Sequence, residues 1–243
     1  NATVCIGPGA WQENLHIENA GLRLVGTGKG RTILAPRQLA SDPRESLETL
    51  IVVDAPDVEI HGMTLQGAQR GVEIRPGGGA LLQNLEIRTN NLGIFSEAAA
   101  ALSLEDVELI RNVESGAIFL HSGESPATLS LRNTIIEGNG NLAESQAGGL
   151  ISDHPLVVDG LLFRGNGGTE AADLWAHRGL EGREVEIERP INLGNAPQLR
   201  VSGALDLSDS LLALQGGSAL ELDCEGGHAR LENIAISDSA WTA

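Results

Sequence analysis

Short runs of alternating apolar and polar residues recur along this chain, each broken near its middle by a single Gly, Asn or Asp. The clearest spans residues 129–139, LSLRNTIIEGN. Leu129 and Leu131 alternate with polar residues, Asn133 interrupts, and Thr134 and Ile136 resume the alternation before Asn139. Period-two alternation predicts a strand with one buried face, and Asn accepts the left-handed backbone that a sharp corner needs. Comparable runs begin at Val58, Leu81, Leu102, Leu156, Leu205 and Ala229. The corner residues are Gly62, Asn84, Asp106, Asn133, Gly160, Asp209 and Asn233, all of the kind that tolerates positive φ. They stand 22 to 27 residues apart, except that 49 residues separate Gly160 from Asp209 and hold one blurred copy near Gly182. The mean is about 24 residues per repeat. Six residues past the corner a second column appears: Asn90, Asn112, Asn139 and Asn166.

A third strand follows each corner pair: GVEIR at 71, GIFSE at 93, AIFLH at 117, GLISD at 149, DLWAH at 173 and ALELD at 219. Alternation sends Val72, Ile74, Ile94, Ile118, Leu120, Leu150, Leu174, Leu220 and Leu222 inward. The outward positions then form two columns. One holds Glu73, Phe95, Phe119, Ile151, Trp175 and Glu221; the other holds Arg75, Glu97, His121, Asp153, His177 and Asp223. Three strands per repeat, stacked repeat on repeat, predict an all-β fold: one right-handed parallel β-helix, a solenoid of about nine to ten turns over residues 1–243. Two loops interrupt it, 36–49 and 138–148, the first with a helical turn capped by Ser41. The stretch 180–203 is too irregular for its strands to be placed.

The opening segment, TVCIGPGAWQENLHIENAGLRLVGTGKGRTILAP, has a strand, Pro8-Gly9, an aromatic, Glu13-Asn14, an apolar strand, then Leu24-Val25-Gly26 and Thr32-Ile33. In this it resembles the opening coils of pectinesterases and other pectin-lyase-like proteins. The resemblance covers nearly the whole chain as fold and only this opening as motif. It implies a right-handed parallel β-helix and a groove for a sugar chain along one outer face. The catalytic signatures of the family are absent: there is no Gln-Asp-Thr-Leu run as in pectinesterases, and none of the polygalacturonase motifs. Ser152-Asp153-His154 matches only the tail of the Trp-Ile-Asp-His run of pectate lyases. HExxH, CxxC and GxSxG are absent too. Gly26-Thr27-Gly28-Lys29-Gly30 lacks the ending and the helix of a phosphate loop and reads as a strand-connecting turn.

Composition agrees with thin layers. Aromatics make up 2% of the chain, Tyr is absent and Gly numbers 31, so Leu, Ile, Val and Ala must fill the interior. The formal charge is −17, with Lys29 the only lysine among 16 basic residues. Such a surface repels nucleic acid and anionic membranes, and it repels polyuronates unless calcium bridges the two. Calcium is therefore the one cofactor to consider. No apolar run approaches a membrane span. Cys5 and Cys224 lie at opposite ends of the array, too far apart for a disulfide in a linear solenoid.

The candidate chemistry lies on the outward columns. Phe95, Phe119 and Trp175 are half of the six aromatics, and Arg75, Glu97, His121, Asp153 and His177 flank them. Rings beside carboxylates and imidazoles suit a sugar chain, whose C–H faces stack and whose hydroxyls seek acceptors and donors. Burial of the same rings under the 36–49 or 138–148 loop is the competing expectation. Glu97, His121 and Asp153 are the acid–base candidates, since glycosidase carboxylates stand about 5 to 10 Å apart. Two functions follow. The first is a non-catalytic module of an exported bacterial protein, a rigid scaffold or glycan-binding surface with other domains or a protein as neighbours. The second is a polysaccharide lyase or glycoside hydrolase using this face. Both place the chain outside the cell, on its surface or in a periplasm.

Overall fold

The computed structural model describes residues 2–37, 42, 44, 48–97, 101–121, 126–140, 145–188, 196–214, 218, 220–223 and 227–238. Within them the chain is all-β, with twenty-four strands in two parallel sheets. One sheet has fifteen strands, ten of them stacked in a continuous path from Thr3–Cys5 to Ala229–Glu232, and the other has nine, from Leu15–Ile17 to Leu220–Asp223. Each strand pairs with those one turn away, as Leu156–Arg164 pairs with Leu129–Glu137 and Leu180–Glu188. The solenoid makes about eight turns, fewer than the nine to ten expected.

All seven predicted corners are left-handed: Gly62 at φ 70°, Asn84 at 51°, Asp106 at 54°, Asn133 at 48°, Gly160 at 75°, Asp209 at 50° and Asn233 at 54°. The blurred copy has its corner at Glu184, φ 54°, rather than at Gly182. Gly182 points inward, where a Cβ would meet Leu207 Cδ2 at 2.6 Å and methyls of Val158 and Val185 at 3.0 Å. Neighbouring apolar groups fill its place. The pattern fades there because an interior position is Gly and a corner is Glu.

Register turns the alternation into columns. One runs Leu34, Leu65, Ile87, Leu109, Ile136, Phe163, Ile187 and Leu212. None of these is more than 1% exposed. Each contributes about 1.5–3 kcal/mol by leaving water. Each turn buries several such aliphatic side chains, as Ile60, Leu65, Val72 and Ile74 do together, so few aromatics are needed.

The predicted asparagine column is a buried ladder. Asn90, Asn112 and Asn139 each donate Nδ2 to Oδ1 of the next, at 3.2, 3.0 and 3.0 Å. The backbone N–H of each donates to that same oxygen, at 3.1, 2.8 and 3.0 Å. The second amide hydrogen goes to a strand carbonyl, of Leu65, Ile87 and Leu109 respectively. Buried amides are thus fully paired, the condition for burying them without cost. Facing them is a column of glycines, Gly71, Gly93, Gly116 and Gly149. A Cβ on Gly93 would lie 2.3 Å from the Gly116 carbonyl and 3.0 Å from Asn112 Nδ2. Asp173 succeeds Gly149 in that column, and Oδ1 of its fully buried carboxyl accepts from Asn166 Nδ2 at 3.0 Å. It ends the ladder. Its Oδ2 has no partner, nor have the amide atoms of buried Gln198 one rung on.

Gly138 to Gly140 belong to this corner and not to the 138–148 loop, since Gly138 is left-handed and Asn139 is a ladder residue. The Gly26–Gly30 turn is strapped to the first sheet, with the Gly30 amide on Thr64 Oγ1 at 2.8 Å and Lys29 Nζ on Glu108 at 2.9 Å. Ser41 and its expected helical turn, most of 36–49, and Cys224 lie outside the described residues. Cys5 is a free, exposed thiol.

Two measurements check this account. Asn133→Val forces a β-branched residue to φ 48° and loses the 3.2 Å bond to Asp106, so denaturant unfolding should show a loss of about 1–2 kcal/mol. An unchanged midpoint would mean that the corner is not strained. The second concerns Asp173. Burial pushes its carboxyl up to about 7, against the opposing hydrogen bond from Asn166. The folded chain then keeps a proton that the unfolded chain has already released. Its contribution to stability is complete below about pH 4 and is lost as pH rises through about 7, by about 1.4 kcal/mol per pH unit. Asp173→Asn removes this slope, so its melting temperature should gain on the parent between pH 4 and 8. A difference independent of pH would contradict the assignment.

Candidate functional site

The outer face of the nine-strand sheet carries the two columns. By register the first runs Glu73, Phe95, Ile118, Ile151, Trp175, Arg200 and Glu221. Phe119 is not in it. It pairs with Ser96 and Ser152 on the inward side and is 0% exposed, a core residue unavailable to a ligand. The glycine column explains the shift. Gly116 must sit beside the Asn ladder like Gly71 and Gly93, and counting from it sends Ala117 and Phe119 inward. Ile118 and Leu120, expected inside, point outward instead.

The second column is correspondingly altered. Glu97 pairs with Leu120, the Asp153 amide donates to Phe119 O, and the His177 amide to Ser152 O, each at 2.8 Å. Leu120 therefore stands on the rung expected for His121. Exposed Glu97 and half-buried Asp153 are two rungs apart, about 10 Å. Arg75 stays one rung beyond Glu97, held by Asp54 at 3.1 Å and Glu73 at 3.3 Å. It takes no part in the cluster around Asp153.

The rings are covered rather than free. The Arg70 guanidinium lies over Phe95 at 4.0 Å. Trp175 stacks with His177 at 4.5 Å, and Arg200 lies 5.2 Å from its ring. Each contact of this kind contributes about 0.5–1 kcal/mol. Trp175 and Ile118 also pack on a satellite cluster of Ala147, Ile151 and Ala171, separate from the main core. Ala147, near the end of the 138–148 loop, is bridged to Ala171.

Asp153 is the polar centre of this region. Its Oδ2 accepts the His121 amide at 3.2 Å, and its Oδ1 stands 3.6 Å from His177 Nδ1. The His121 ring meets His154 edge-on at 5.0 Å. His154 is fully buried, its Nδ1 2.9 Å from Ala127 O and its Nε2 3.2 Å from Leu120 O. Burial, assisted by Arg200 and opposed by Asp153, holds the His177 pKa below the usual imidazole value. Both ring nitrogens of His121, and Nε2 of His177, are out of water with no hydrogen-bond partner. Among the described residues no group of three or more His, Cys, Asp or Glu is placed to hold a metal, so calcium has no ready ligand set there.

Arg70 and Arg200 escaped the sequence reading, which named His154 only as part of Ser152-Asp153-His154. Arg200 follows Trp175 by 25 residues, close to the repeat, but sits in the stretch whose strands could not be placed.

No protein-family model matches the chain, and no curated protein matches it. Among solved structures, pectin methylesterase from Aspergillus niger in deglycosylated form is similar at 12% identity and a TM-score of 0.49, over 98% of this chain and 78% of that one. The same enzyme in penultimately deglycosylated form gives 11% identity and a TM-score of 0.48, over 100% and 78%.

The packing predicts the effect of removing the ring. Trp175→Ala should lower stability by about 1–3 kcal/mol, since the half-buried ring loses its packing on the satellite cluster and on His177. A melting temperature unchanged in that variant would show the ring to be free.

Proposed function

We propose that this chain is a rigid, non-catalytic scaffold that meets a polysaccharide or cell-surface glycan through the face around Asp153. The observation that carries the scaffold is the commitment of outward charges to one another across turns. Arg23 holds Glu59 at 2.6 Å and Arg183 holds Asp159 at 2.7 Å. Arg164 joins Glu188 at 2.8 Å to Glu137 at 3.3 Å, and Arg200 joins Glu170 at 2.8 Å to Glu221 at 3.3 Å. Single surface pairs contribute little, but pairs that recur between successive turns lace the stack. Among the described residues the Phe95 and Trp175 rings are occupied in the same way, by Arg70, His177 and Arg200.

The glycan contact draws support from the exception. The side chains of Asp153 and His177 are 27% and 36% exposed, so a ligand can reach both. Sugar hydroxyls donate and accept, so they match a carboxylate between imidazoles. The enzyme reading draws none, since Leu120 separates Glu97 from Asp153 and His121 lies off the column. The reading keeps the chain extracellular, on a cell surface or in a periplasm, beside other domains or a protein partner. A charge of −17 opposes nucleic acid, and among the described residues no helix is long and apolar enough to cross a membrane.

A glycan array tests it, using the parent, Asp153→Asn and His177→Ala. The parent should retain oligosaccharides, and Asp153→Asn should weaken them about tenfold through loss of one charge-assisted bond. A blank array from folded parent would leave the scaffold alone. Cleavage of any bound polysaccharide, abolished in Asp153→Asn, would instead establish the enzyme.

A further inference from the structure

On the outer face of the fifteen-strand sheet, one column changes character along the stack. By register it runs Glu86, Glu108, Ile135, Leu162, Glu186 and Leu211. Its first two acids each have a cation: Arg88 stands 3.1 Å from Glu86, and Lys29 reaches Glu108 at 2.9 Å. Glu186 has no ion pair among the described residues. It faces Glu188 instead, and Arg164 beside it is engaged by Glu188 at 2.8 Å and Glu137 at 3.3 Å. Glu184, at the adjoining corner, is exposed and likewise unpaired among the described residues. It holds φ 54° where the other seven corners are Gly, Asn or Asp. The two acids and the half-buried side chains of Ile135 and Leu162 line a groove of about 320 Å³. Leu211, 36% exposed, stands one rung beyond Glu186. Described rungs flank the groove on both sides, Glu108–Ile110 before it and Ala235–Asp238 after it.

We propose that this groove docks an extended segment of a protein partner, in which a lysine or arginine stands between aliphatic residues. The cation would lie between Glu184 and Glu186, doing there what Lys29 does at Glu108. Its methylene stem would cover Ile135 and Leu162, and an aliphatic neighbour would meet Leu211. Charge complementarity selects this occupant. Two unpaired carboxylates on a chain of formal charge −17 oppose an acidic segment, while the apolar floor gains nothing from a bare cation. Aliphatic walls also offer a sugar no flat ring on which to stack. The groove lies on the fifteen-strand sheet, whereas Asp153 follows a strand of the nine-strand sheet, so the two surfaces can be occupied independently.

A short peptide provides the probe. Capped Val-Lys-Val-Lys-Val, titrated into the isotope-labelled chain, should shift the amide signals of Ile135, Leu162 and Glu186 and reach saturation. Val-Glu-Val-Glu-Val should shift none of them, and Ser-Lys-Ser-Lys-Ser should bind about tenfold more weakly for want of apolar contact. Glu184→Gln combined with Glu186→Gln should weaken the Val-Lys peptide about tenfold by removing charge-assisted bonds. The melting temperature of that variant should hold or rise, because Glu188 no longer faces a second charge. Added salt should weaken the parent's binding. The absence of saturable shifts at these residues, or an affinity unchanged in the double variant, overturns the proposal. So does equal affinity for Ser-Lys-Ser-Lys-Ser or for spermidine, which would make the groove a site for cations alone.

Discussion

Everything in this molecule depends on turns stacking in register at the strand spacing of about 4.8 Å. That spacing is met by backbone hydrogen bonds along flat strands, but corners must meet it too. At the second corner it is met by asparagine amides on one side and bare glycine backbone on the other. A side chain on Gly93 or Gly149 would collide with the carbonyl of the next rung, at 2.3 and 2.0 Å. The glycines are there for proximity rather than for conformational freedom. Once the corners hold, like residues fall upon like, and the apolar columns close without large side chains.

The same constraint decided what could be read in advance. Corners were legible because Gly, Asn and Asp share one physical property, and the asparagines were legible by spacing. Glu184 was hidden because a left-handed Glu carries no such mark. The candidate site depended on strand phase, where one residue exchanges inside for outside. Ile-Phe occurs both at 94 and at 118, and aligning on it misplaced Phe119 and His121. Alignment on Gly93 and Gly116 gives the phase observed. The cover over Trp175 was beyond reach, since Ala147, Ala171 and Arg200 come together only when the turns stack.

Stacking also gives the surface its character. A charge repeated on successive rungs repels itself, and in the column Glu105, Arg132, Asp159 and Arg183 acids and arginines alternate between turns. Where two glutamates do stand in sequence on one face, Glu186 and Glu188, burial first and then mutual repulsion raise the Glu186 pKa. Function in such a molecule is located by exceptions to the repeat, and the Asp153 cluster is one of them.

Another exception is the place where Asp173 terminates the amide ladder. A solenoid behaves as a linear chain of nearest-neighbour couplings, each turn held by the turn on either side. Before Asp173, successive turns share backbone pairing, apolar columns and buried amides at the second corner. After it, among the described residues, no further asparagine continues the ladder. The fault divides an apparently uniform rod into two blocks of unequal cohesion, so the later turns can fray while the earlier ones stay wound. Under axial tension the rod has a programmed point of yield.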